Sequence, residues 1–156
     1  MSFRRKMVDI SEKDVVYREA TAEGIIKMRK ETLEKIMKNE IEKGNVFEIS
    51  AAVAMYGAKL TPQLLPFCHP IRLTNVSVEY EKVDDERLKV KVTVKALERT
   101  GVEMEALVAV SLALLNVWDM VKKYEKDEHG QYPFTKIEEI KVVYKRKEDH
   151  APRGGS

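Results

Sequence analysis

Residues 106–115 carry a single polar side chain, Ser111, in ten positions. A helix built on this run has no polar side to offer water, so it must be covered on nearly every face. One small sheet covers one face only. A membrane span needs about 20 such residues, and Asn116 and Asp119 interrupt this run too early for that. The run therefore predicts an oligomer, in which a second subunit covers what one chain leaves open.

The remaining pattern supplies a sheet. Val76, Val78 and Tyr80 alternate with Ser77, Glu79 and Glu81, while Leu88, Val90, Val92 and Val94 alternate with Lys89, Lys91, Thr93 and Lys95. With the polar link Asp84-Asp85-Glu86 between them, these are two half-buried antiparallel strands. Residues 30–42 read as a helix stopped by Gly44, residues 46–60 as a second helix, and residues 137–144 as a last strand. Thr100 opens the long apolar helix, which runs to Tyr124. Residues 7–10 and 15–28 read as extended or ambiguous. Helix, strand, strand, helix, strand after an extended N-terminal arm is an α+β order. A ferredoxin-like split sandwich, an antiparallel sheet packed with helices, is the architecture that fits it. The length of 156 residues suits one domain over 1–147, with 148–156 as a disordered tail.

Charge excludes some functions. With 28 basic and 26 acidic side chains the net charge is +2, unlike a protein that coats nucleic acid with a concentrated basic face. The lone Cys68 forms no internal disulfide, and the start MSFRRKMVDISEKD lacks the apolar core of a secretory signal. A cytoplasmic, membrane-free protein is the expectation. No glycine-rich phosphate loop and no G-x-S-x-G elbow occurs, and His69, His129 and His150 are far apart, so no resident metal is expected.

Three segments carry the candidate chemistry. In Leu65-Pro66-Phe67-Cys68-His69-Pro70 the prolines stiffen the backbone, either as a plain connection or as a shelf presenting Cys68 and His69. Adjacent residues on an extended chain point to opposite faces, which argues against a Cys–His dyad. Thr100 and Glu103 stand in capping-box register, giving Glu103 a structural role. Glu105, one step before the apolar run, is costly there unless paired or functional. At the far end Asp119, Lys122 and Lys126 share a helix face, either as a solvated ion-pair row or as a tuned acid–base pair. Lys43 before Gly44 suits a helix C-terminus, and Lys59 and Arg18 read as surface charges.

Taken together, MVDIS (7–11), REA (18–20), KGNVF (43–47), GAKLTPQLLPFCHPIRLTNVSV (57–78), TGVEMEAL (100–107) and WDMVKKYEKD (118–127) resemble the molybdenum cofactor biosynthesis protein C family, MoaC, the cyclic pyranopterin monophosphate synthases. The resemblance implies conversion of cyclised dihydro-GTP, made by a preceding radical-SAM enzyme, to cyclic pyranopterin monophosphate with release of pyrophosphate. It implies a homohexamer, a trimer of dimers, with sites between subunits. It assigns Asp119 as the acid–base residue, with Lys122 and Lys43 as catalytic lysines. Phe67, Cys68, His69, Met104 and Glu105 would line the substrate, and Arg18 and Lys59 would meet the triphosphate. No cofactor is required, although Mg²⁺ can accompany the triphosphate. Glu103 stays between cap and site. Asn45 stands where the family usually has aspartate, which weakens any salt bridge from that position to Lys43. The family's glycine-rich C-terminal segment is reduced here to KRKEDHAPRGGS. A non-catalytic oligomeric ligand binder and a purely structural module are the competing readings.

Overall fold

In the computed structural model, which describes residues 2–153, residues Val16–Lys27 form an interior strand, β1. It is followed by α1 (Lys30–Met37), α2 (Val46–Leu64), β2 (Leu73–Asp84), β3 (Arg87–Glu98), α3 (Glu103–Glu125) and β4 (Lys136–Glu148). All three pairings are antiparallel and the strand order is β2-β3-β1-β4. This is the expected split sandwich, and the segment 15–28, read as extended or ambiguous, is a strand hydrogen-bonded on both edges.

The reason lies under α3. The helix-facing residues of β1 are Ala20, Ala22, Gly24 and Ile26, of which only the last is large. A Cβ added to Gly24 would come within 2.6 Å of Leu114 Cδ1 and 3.0 Å of Val110 Cγ1. Small residues here let the long helix lie close, and their low hydrophobicity removes the alternation by which a strand is recognised.

Alternation is otherwise well kept. Leu88, Val90, Val92, Val94 and Ala96 of β3 are buried against the helices, and their odd-numbered neighbours face away. On that open face the registers place Glu79, Lys91, Glu23 and Lys141 in one row across all four strands. Opposite charges thus stand beside one another, as cross-strand pairs favour.

The helices differ from expectation at their ends. α1 stops at Met37 rather than continuing to residue 42, because Asn39 turns left-handed at φ 55°. α2 runs on to Leu64 through Pro62, with buried Ala58 and Thr61 holding that turn to the core. α3 begins at Glu103, with Val102 in the cap position and no side-chain cap bond. The Thr100–Glu103 capping box is therefore not formed: Glu103 is the first helical residue, two places too early for its part in that motif.

α3 spans 23 residues with mean hydropathy 1.6 over its most apolar stretch, enough in length and composition to cross a membrane. Its buried stripe instead packs on the sheet and on α2. A Cβ on Gly57 of α2 would meet Leu112 Cδ1 at 2.8 Å, so the two helices nearly touch there. α2 therefore supplies part of the cover that was expected from a second subunit, while Leu115 stays 55% exposed. The tail read from residue 148 begins at the last residue of β4, and residues 154–156 lie outside the described residues.

Candidate active site

The segment after α2 does not run extended. The Cys68 N–H donates to the Leu65 carbonyl at 3.0 Å, closing a turn. Phe67, Cys68 and His69 consequently line one pocket of about 230 Å³, together with Met104 and Glu105 from the first turn of α3. These are the five expected substrate-lining residues, and the structure brings them together. Both Cys68 and His69 border the pocket because a turn replaces the extended backbone at 65–68, and no Cys68–His69 hydrogen bond forms among the described residues.

Glu105 is 2% exposed. Desolvation raises its carboxyl to about 7, with a smaller push from nearby Glu103, so it can hold or release a proton near neutrality. Burial, then Glu105 and Glu103, also push the Cys68 thiol up, which keeps it a thiol rather than a nucleophilic thiolate. Glu103 is freed from capping. Its Oε1 lies 3.5 Å from Lys145 Nζ, and its Oε2 is buried without a hydrogen-bond partner among the described residues.

The second group forms at the other end of α3. The Lys43 ammonium donates to Asp119 Oδ2 and to the Asp119 carbonyl, each at 3.0 Å, and Lys122 Nζ donates to Oδ1 at 3.0 Å. These two lysines, Lys122 first, hold the Asp119 carboxyl below the usual carboxylate range, while Asp119 raises Lys122. Lys43 reaches this position because α1 ends early and the chain crosses the end of α3. There the Glu42 N–H donates to the Tyr124 hydroxyl at 2.9 Å. Gly44, at φ 126°, then turns the chain into α2. Asn45 caps that helix by accepting from the Glu48 N–H at 3.0 Å, so Asp119, not residue 45, is the partner of Lys43.

The cluster is open to water, with the Asp119 side chain 54% exposed rather than at a buried margin. It also lies about 21 Å from Glu105, fourteen residues along the same helix. The expected site residues therefore do not converge within one chain. Arg18 stands near the pocket. It donates to the Glu98 and Arg99 carbonyls and lines a groove with Lys145 and Lys147 that shares Gly101 with the pocket. Lys59 lies apart, in a depression with Met55, Leu73 and Asn75. Among the described residues, no three His, Cys, Asp or Glu side chains cluster as a metal site.

Among the lining residues that sequence reasoning missed are Val8, Ile10 and Lys13. They come from the N-terminal arm, where two apolar side chains on a segment without secondary structure were the available signal.

Fold and side chains together define a class: a ferredoxin-like α+β domain with acid–base groups at both ends of its core helix. The family is more particular. Residues 7–148 match the MoaC family, and the chain belongs to it. It is 58% identical over 142 residues to a probable cyclic pyranopterin monophosphate synthase of Sulfurisphaera tokodaii, covering 91% of this chain and 93% of that one. It is 59% identical over 141 residues to a protein of the same name from Sulfolobus acidocaldarius, covering 90% and 98%. A Methanothermobacter thermautotrophicus relative, 49% identical over 142 residues and covering 91% and 89%, is named a probable cyclic pyranopterin monophosphate synthase accessory protein.

Proposed function

We propose that this chain is a cyclic pyranopterin monophosphate synthase of molybdenum cofactor biosynthesis. In this reading it is a cytoplasmic lyase acting on (8S)-3',8-cyclo-7,8-dihydroguanosine 5'-triphosphate, the product of a radical-SAM GTP cyclase. The observation that carries the reading is the division of acid–base side chains between the two ends of α3, in a chain that aligns over about nine-tenths of relatives named for this activity. The pocket of one subunit meets the Lys43–Asp119–Lys122 cluster of another, in a homohexamer built as a trimer of dimers.

The chemistry suits these groups. Rearranging the guanine-derived ring requires proton transfers at nitrogen and oxygen, which side chains of the types of Glu105, His69 and Asp119 supply. An internal hydroxyl then attacks the α-phosphorus. One P–O bond forms, the bond to the bridging oxygen breaks, and pyrophosphate leaves with the electron pair while the hydroxyl proton passes to Asp119. Lys43, Lys122 and Arg18, with Lys59 from a neighbouring subunit, stabilise the developing charge. Phe67, Cys68 and Met104 form the wall against the ring. Mg²⁺ enters with the triphosphate as part of the substrate.

Incubation with the cyclised dihydro-GTP tests the reading, measuring pterin product and pyrophosphate. Asp119→Ala and Lys122→Ala are expected to keep their oligomeric state and lose at least about 100-fold in product formation. Wild-type protein that yields no product sinks the enzyme reading. It would then favour the ligand-binding alternative, which the accessory-protein name of one relative supports.

A further inference from the structure

Residues 2–15 form no helix or strand, and their hydrogen bonds among the described residues are internal. Lys13 N–H donates to the Ile10 carbonyl at 3.0 Å, and Ser11 N–H to Asp9 Oδ1 at 2.9 Å. The arm nevertheless borders the pocket, contributing Val8, Ile10 and Lys13 to its lining along with the 67–69 segment and the start of α3. Val8 is 65% exposed and Phe67 56% exposed, so two large apolar groups face water at the mouth of a pocket holding a buried carboxyl. Apolar surface of this kind is what a planar ring covers on binding. Lys13 also lines a neighbouring groove of mixed charge, where Arg18 and Lys147 stand among Glu12, Asp14 and Asp149. One short segment thus touches both the pocket and a groove in which Lys13 joins the Arg18 and Lys147 cations. Asp9, between Val8 and Ile10, is held below the usual carboxylate range mainly by Ser11, with a smaller contribution from His69.

We infer that the N-terminal arm is a binding element of the site: Val8 and Ile10 grip the heterocyclic ring of the substrate, and Lys13, beside Arg18, binds its phosphate chain. The inference rests on the function proposed above and adds three substrate-contacting residues to it. A segment tied to the body only through side chains opens at little free-energy cost, so the ligand enters by displacing the arm and is then covered by it.

The test compares full-length wild type with Val8→Ser/Ile10→Ser and with Lys13→Ala, using cyclised dihydro-GTP. Because Val8 and Lys13 are exposed and Ile10 is half-buried on a segment without helix or strand, thermal unfolding is expected to stay close to wild type. KM is expected to rise about tenfold in each variant, with kcat within about threefold of wild type, the signature of lost ground-state binding. In the full-length Asp119→Ala protein, amide exchange over residues 7–13 is expected to slow when the same substrate is added. Normal KM in both variants, with wild-type turnover intact, overturns the arm inference alone. Unprotected amides at 7–13 in a substrate-saturated sample also overturn it. Absence of wild-type turnover overturns the functional reading and this inference with it.

Discussion

Glu105 and Asp119 are both carboxyl groups on α3, yet burial lifts one to about 7 while Lys122 and Lys43 lower the other. Their effects on stability have opposite signs. Glu105 titrates near 4.5 when exposed and about 7 when folded, so the native state gains protons relative to the unfolded one between those values. Stability from this group therefore falls as pH rises through that window. Glu105→Gln is expected to be nearly neutral at pH 4 and stabilising at pH 8, read from urea midpoints. An equal change at both values would show that the carboxyl is not buried as described. If Glu105 also donates a proton to the ring, wild-type kcat/KM is expected to decline above about pH 7. Asp119 works the other way: its contribution is present above the unfolded carboxylate value and is lost as pH falls through its lowered folded one.

At the scale of elements, close approach and end chemistry decide the arrangement. Gly24→Val places branched atoms where a Cβ alone is already 2.6 Å from Leu114. It is expected to cost about 3 kcal/mol or more in chemical denaturation, since α3 would have to lift off the sheet. Glu125 is fully buried and ties three elements together. It accepts from Arg29 N–H at 3.1 and 3.2 Å, from the Thr32 hydroxyl at 2.5 Å and from the Thr135 hydroxyl at 2.7 Å. Glu125→Gln turns an acceptor into a donor facing these donors, with an expected loss of about 1–3 kcal/mol by urea titration. The same clamp fixes the start of α1 and hence the path to Lys43. Asn45→Ala removes the α2 cap at an expected cost of about 1 kcal/mol, measured the same way.

For the whole molecule, the near-zero net charge conceals an ordered distribution. Opposite charges alternate in rows over the open sheet face, while cations gather at Arg18, Lys145 and Lys147 near the pocket and at Lys43 and Lys122 at the far end. Tyr56 and Leu60 of α2, with Leu115 of α3, remain as exposed apolar surface. The shared site proposed above makes a sharp prediction. Mixing and reassembling His69→Ala with Asp119→Ala subunits is expected to restore roughly a quarter of wild-type turnover, because half the pairs are mixed and each of those holds one intact site. Inactive mixtures would place the whole site within single chains, against the distance along α3.

Much of this molecule was legible residue by residue. The alternation of β2 and β3, the apolar core helix and the lining residues at 67–69 and 104–105 follow from local pattern, motif and resemblance. β1 was not legible, because its helix-facing side is made of alanine and glycine, whose reason is the helix lying over them. The reach of Lys43 to Asp119 was likewise hidden, since it depends on α1 ending at Met37 and on a loop docked against Tyr124. Local sequence determined the elements other than β1, because periodicity and backbone preference act over a few residues. Tertiary structure alone decided which charges meet and how far apart the two halves of the candidate site lie. Those depend on contacts between segments as distant in the chain as Lys43 and Asp119, which no short window contains.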